Sequence, residues 1–407
     1  MEDRAPDCTP SAAEHRAGTT APPSGGSLVV AGASVRAFAA SAARAGWRVH
    51  AADLFGDHDL REVAREVVTI SPYPAGLAAA IAGWPPAPLA YTGGLENHPD
   101  LLAAVAGLRP LAGCSAARVR RVRNPDLLGL AVRDAGLGFP ETRRSPHGLA
   151  TDGSWLVKPV ASAGGRGIRR WQGGDVREPA PAAVIWQRLV TGRSWSAGYL
   201  LAGGTARLLA VTRQLVGRRW CHAGPFAYCG SLAIDPAAAG KQVAEQLGRL
   251  GDVLGGEFAL GGLVGVDLVI DRHRRVHVIE VNPRPTASLE LVERATGLSL
   301  AAAHLAAFGV APPPGEPRPW RGTWGKAVLF ASRPLFCGEA VVATMLAERP
   351  GHAEPVEWPI VADIPVAGQT IPAGGPVCTV FASGTTPSVT VRRLRRRLTT
   401  LATRLGA

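Results

Sequence analysis

Apolar and polar positions alternate in two regimes along the chain. Near the start, Leu28 to Ala31 is a short apolar run that predicts a strand, and Gly32-Ala33-Ser34 predicts a turn. The Ala-rich stretch Val35 to Ala45, stopped by Gly46, predicts a helix, and Trp47 to Ala52 a second strand closing at Asp53. This is a βαβ unit, and the domain it opens extends from residue 27 to about 115. From Trp155 the texture changes to strands joined by Gly-rich turns: Trp155 to Val160, Ala183 to Leu189, Ser194 to Leu201 and Ala206 to Gln214. A helix over Pro236 to Leu254 is expected next, then strands over Leu263–Ile270 and Arg275–Asn282, and two helices separated by Gly297. These make a second domain, 116–311. A Pro-rich linker (312–322), a small β-rich domain (323–390; strands at Lys326–Ser332, Pro359–Ile364 and Val377–Phe381) and a basic helix (391–407) follow. Residues 1–26 lack periodicity and are expected to be disordered.

Composition narrows the class. The 407 residues imply two to four domains, and a 46% hydrophobic content excludes wholesale disorder. Apolar runs are too short for a membrane helix, and Glu2, Asp3 and Asp7 open the chain without an apolar stretch behind them. Six scattered cysteines make no disulfide framework. A soluble, cytoplasmic protein without a membrane partner is expected. The net charge of +12 comes from 41 arginines and only three lysines, Lys158, Lys241 and Lys326. Two clusters dominate, Arg118–Arg123 and Arg392–Arg397. Neither carries the interleaved aromatics that would stack on bases, which argues against a nucleic-acid surface; the second reads as the solvated face of the basic helix, the alternative being attraction of an anionic substrate or a weak polyanion contact. In the second, Leu394, Leu398 and Leu401 form the apolar stripe.

Three motifs carry candidate chemistry. The turn after the first strand has one of the three glycines of a dinucleotide-binding fingerprint, with Asp53 at the ribose position, which disfavours a nicotinamide cofactor. In Trp155-Leu-Val-Lys158-Pro-Val-Ala-Ser162-Ala-Gly164-Gly165-Arg-Gly167, a strand delivers a lysine into a loop whose glycines let successive N–H groups face one phosphate. The third is Gly265-Val-Asp267 through Glu280-Val-Asn282-Pro-Arg284. With a turn over Asp271–Arg274, Asp267 pairs opposite Val278, and Glu280 and Asn282 share its face. Two carboxylates and an amide oxygen form a hard site for Mg²⁺ or Mn²⁺ on nucleotide phosphates. Arg284 stands within reach of the same phosphates. Cys221, His222 and Cys229 lack the spacing of a zinc site and read as structural.

The second and third motifs, in this order, resemble those of the ATP-grasp superfamily. The implied fold class is α+β: an ATP-grasp fold with an N-terminal Rossmann-like pre-ATP-grasp α/β domain and a small C-terminal β-rich domain. Trp186 to Ser194 looks like the family's hinge, so the resemblance implies ATP contacts from Lys158, Ser162, Gly164, Gly165, Gly167, Gln187, Leu189 and Val190. It implies a metal on Asp267, Glu280 and Asn282, and catalysis by Lys158 and Arg284. Tyr91-Thr-Gly93-Gly94-Leu-Glu96-Asn97-His-Pro, Ala362-Asp-Ile-Pro and Val377-Cys-Thr-Val-Phe are similar to segments of a group of predicted ATP-dependent carboligases. Gly93, Gly94, Glu96 and Asn97 would then border the acceptor, the alternative being that Asn97 caps the helix at Pro99. Two positions depart from the pattern. The hinge carries Thr191, Arg193 and Ser194 where relatives hold acids, and an early ATP-contacting lysine falls at Arg123 or Asn124.

The resemblance implies an ATP- and Mg²⁺-dependent ligase that joins a small carboxylate to an amine through an acyl phosphate. A substrate from one-carbon cofactor pathways, or glutamate, fits the group, and a homodimer is compatible. One alternative is an ATP-dependent carboxylase using bicarbonate. The biotin-dependent relatives' glutamate is Ser288 here, and no biotinyl segment surrounds any lysine. The other is a non-catalytic nucleotide-binding regulatory protein.

Overall fold

The structure is a computed structural model that describes residues 25–174, 184–348 and 358–407. The tail expected to be disordered lies outside the described residues except for Gly25 and Gly26, as does Ala183 of one expected strand. The strand Ser27–Ala31, the helix Arg36–Arg44 and the strand Arg48–Asp53 form as their pattern predicts. They open a five-stranded parallel sheet in the order Glu66–Thr69, Arg48–Asp53, Ser27–Ala31, Leu89–Tyr91, Leu111–Ala112. Leu28, Val29, Val30 and Ala31 are all fully buried, as a parallel strand covered on both faces requires. Asp53 is buried, and its carboxylate accepts hydrogen bonds from the N–H groups of Val35, Phe55 and Gly56 at 2.7–2.8 Å. It holds the turn together and has no reach left for a ribose.

Two further sheets face the cavity. A small antiparallel sheet orders the strands Thr142–Arg143, Val184–Arg188, Trp155–Pro159 and Arg169–Arg170. Its back is sealed by Trp155, Val157, Trp171 and Trp186, so Leu156 and Lys158, alternating with them, face forward. The large sheet has eight strands and includes Arg193–Ala202, Thr205–Val216, Gly262–Ile270 and Val276–Asn282.

The C-terminal strands Thr323–Phe330, Pro376–Gly384 and Val361–Ala362 extend that large sheet, through pairing of Gly230 with Ala327. The helix Pro387–Leu405 packs on them through Leu394, Leu398 and Leu401, as its stripe predicts. Two expectations change. The helix over Pro236–Leu254 breaks at Gly240, whose φ of 84° is not helical, leaving a short 3₁₀ turn Pro236–Ala239 and a helix Lys241–Asp252. The strand over Pro359–Ile364 shrinks to Val361–Ala362, because the next residue, Asp363, turns with φ 56°. Among the described residues no helix is long and apolar enough to cross a membrane.

Candidate active site

The acidic hairpin differs in register from its expected form. Its loop has five residues, so Ile270 pairs with Val276, one step from the four-residue turn. That slip alone would set Asp267 opposite Ile279 and send the two acids to opposite faces. A bulge at Ile279 cancels it: Leu268 pairs with Val278 toward the core, while Asp267 pairs with Glu280 and Gly265 with Asn282. Asp267, Glu280 and Asn282 therefore share one face, and all line a cavity of about 1020 Å³. Gln214 donates to Asp267 Oδ1 at 2.7 Å, and Asn282 to Oδ2 at 3.3 Å. Burial, with Glu280 adjacent, pushes the Asp267 carboxyl up to about 6. Removal from water would raise Glu280 too, but Arg123, Lys158 and Arg284 bring it below the usual carboxylate range. Two acids pushed apart in this way, with an amide oxygen between their strands, form the donor set of a hard cation.

Lys158 is buried on the facing sheet. Its Nζ donates to Gln187 Oε1 at 3.1 Å and lies 3.9 Å from Glu280 Oε2. Burial lowers its pKa, against the pull of Glu280 and Asp267. Gln187 also donates to Thr142 Oγ1 at 3.3 Å, so its side chain positions the lysine. In the loop that follows, Gly164, Gly165 and Gly167 have φ of 64°, 80° and 76°. Gly164 O accepts from Tyr228 N at 3.0 Å, and a Cβ on Gly165 would stand 2.0 Å from Phe226 O. Ser162, Gly164 and Gly165 line the cavity with Gln187, Leu189 and Val190. Gly167 is not among the lining residues and serves the loop's turn.

The first domain reaches this site through residues 92–97. Arg284 donates to Glu96 Oε1 from Nε at 3.0 Å and from Nη2 at 2.6 Å, and Nη2 also reaches Asn282 Oδ1 at 3.3 Å. Burial works against its charge, but Glu96, Asp267 and Glu280 together outweigh it, so its pKa is raised. Gly93 packs against the guanidinium, where a Cβ would lie 3.4 Å from Cζ. Gly94 leaves room for the Tyr73 hydroxyl; that hydroxyl and Glu96 Oε2 are buried without hydrogen bonds among the described residues. Asn97 does not cap the next helix, whose N-cap is His98. Asn97 instead accepts from Arg123 at 2.8 Å and donates to Ser162 O at 3.3 Å.

The sequence pointed to Arg123 or Asn124 only as the place of a relatives' lysine and gave no sign of the partner Arg123 takes. That residue ends a run of arginines, and Arg120 and Arg121 pair with acids at the surface. Arg123 instead forms an ion pair with Glu280. Gln214 was also missed, as was a second cluster lining the cavity beyond Arg284, where Glu290 meets Arg36 and Lys326. Cys221, His222 and Cys229 form no metal site among the described residues.

Residues 127–288 match the model of the ATP-grasp domain family. Solved structures share the fold at low identity. The biotin carboxylase of Campylobacter jejuni, in a β,γ-ATP complex, is 12% identical, with 90% of this chain and 89% of that one covered and a TM-score of 0.64. The ATP-bound carboxyaminoimidazole ribonucleotide synthase of Aspergillus clavatus is 14% identical over 94% and 99%, TM-score 0.66. The L-amino acid ligase of Bacillus licheniformis is 16% identical over 92% and 96%, TM-score 0.64. No curated protein matches the chain in sequence.

Proposed function

We propose that this chain, which carries an ATP-grasp domain, is an ATP-dependent ligase that activates a carboxylate as an acyl phosphate and joins it to an amine. The observation that carries the reading is the convergence of Lys158, the Asp267–Glu280 pair and Arg284 on one cavity. The named neighbours, a carboxylase, a synthase and a ligase, support ATP-driven bond formation as the class. At about 1020 Å³ the cavity accommodates a nucleotide and a second substrate.

In this reading the Gly164–Gly167 loop and Lys158 hold the phosphates, and the backbone about Leu189 and Val190 meets the adenine. Asp267, Glu280 and Asn282 would hold Mg²⁺ or Mn²⁺, which when bound neutralises charge on the phosphates. A carboxylate oxygen of the substrate attacks the γ-phosphorus and ADP leaves. The amine nitrogen then attacks the acyl carbon, phosphate leaves with the bonding pair, and the nitrogen gives up a proton. Lys158 and Arg284 stabilise the negative charge that develops at each centre. Glu96 fixes Arg284 in place, and Gly93 lines the cavity beside it, whereas the space at Gly94 is taken by the Tyr73 hydroxyl.

The test is ADP release from the purified protein with Mg-ATP across carboxylate and amine pairs, with mass spectrometry of products. An amide whose formation matches ADP one for one is expected. ADP release driven by bicarbonate without an amine would make the protein a carboxylase. Nucleotide binding with no ADP from any pair would make it a regulatory binder.

A further inference from the structure

Beyond Arg284 the segment Pro285–Glu290 lines the cavity and leads to a buried charge cluster drawn from all parts of the chain. Arg36 donates to Glu290 from both terminal nitrogens and to Asp363 at 2.8 Å, with Asp59 at 3.6 Å. Lys326 reaches Glu290 at 3.2 Å and Ala287 O at 3.1 Å, and Arg294 lies 3.5 Å from Glu290. Three cations thus answer Glu290, Asp363 and Asp59. One carboxylate is left over.

That carboxylate is Asp57. It is 6% exposed and lines the cavity. It occupies the N-cap position of the helix His58–Val63, yet its side chain caps nothing and makes no hydrogen bond among the described residues. The charged groups facing it are Asp53, Asp59 and Asp363, which repel it, and Arg36, which attracts it. A buried carboxylate faced by three acids and one cation is costly, so the site favours a ligand that carries positive charge. A metal ion needs several oxygens, and the others are taken. Asp59 accepts from the N–H groups of Asp363 and Ile364, Asp363 from Arg36 and Thr379, and Asp53 from three N–H groups. A single free carboxylate in a cavity that Leu54, Phe55 and Ile371 also line suits an organic ammonium.

We propose that Asp57 is the counter-ion of a primary ammonium group, and that this pocket receives the acceptor amine as a cation, which releases one proton to solvent before its nitrogen attacks the acyl carbon. The cation site stands on Asp57 itself; its role as the acceptor's site rests on the ligase function proposed above.

The test is calorimetric titration of the full-length protein at pH 8, without nucleotide, using benzylamine and n-butylamine against benzyl alcohol and n-butanol. The amines bind and the alcohols do not, and Asp57→Asn weakens the amines roughly ten- to a hundredfold, the range of a lost charge-assisted hydrogen bond. The variant's melting temperature stays equal to or above that of the wild type, because an unpaired charge is removed. Alcohols binding as tightly as amines, neither amine binding, Mg²⁺ displacing the amines, or unchanged amine affinity in Asp57→Asn would each overturn the site. A drop of several degrees in the variant would make Asp57 structural and overturn it too. Because no nucleotide is present, amine binding without ADP release from any pair would defeat the ligase reading and leave the cation site standing.

Discussion

Glu280 is met by Arg123, Lys158 and Arg284, and its replacement separates chemistry from folding. Glu280→Gln keeps the volume and one acceptor oxygen, so circular dichroism stays that of the wild type while Mg-ATP-dependent ADP release is lost; wild-type turnover would dismiss the metal site. Arg123 reaches Glu280 and Asn97 together. Arg123→Ala should raise the KM for ATP by about tenfold or more, and Arg123→Lys should recover part of that, as a point charge without the fork. The residue types of the acidic motif were legible because Glu280 and Asn282 interrupt an apolar strand. The pairing of Arg123 with Glu280 was not, because nothing in a run of arginines says which of them a neighbour removes from water.

The hairpin shows how an element can hide its geometry. The motif identifies the strands, but the length of the loop sets their register, and the bulge at Ile279 resets it; neither has a composition signal. The Gly-rich loop is the opposite case. Its glycines announce a conformation that other residues adopt at a cost, and Gly164, Gly165 and Gly167 all adopt it. Gly165→Ala combines a φ of 80° with a collision against Phe226 O. It should lower ATP affinity roughly tenfold or more, with a thermal shift of a few degrees. Equal ATP affinity by titration would show that the loop does not hold the phosphates.

At the scale of the molecule, two buried polar devices join distant parts of the chain. His304 accepts from Leu263 N through Nδ1 and donates to Ala112 O through Nε2, both at 2.9 Å, so it is held neutral. Burial lowers its pKa from 6.5 to about 4. A depressed histidine contributes stability that is present above the unfolded value and lost as pH falls through the folded one. Urea unfolding should therefore show about 3 kcal/mol lost between pH 6.5 and 4, and a flatter profile in His304→Gln. Glu290 joins Arg36 of the first domain to Lys326 of the C-terminal part. Glu290→Gln leaves their charges uncompensated and should cost about 3–5 kcal/mol in the same measurement. The chain by itself determined its elements, the chemistry of its motifs and the kind of fold, because hydrophobic period, glycine and acid placement are local properties. Tertiary structure decided which charges meet: Arg284 with Glu96, Arg123 with Glu280, Arg36 with Glu290, and Asp57 in no ion pair among the described residues. Those partners lie as far apart as 254 residues, and pairing at that distance depends on packing that no local pattern encodes.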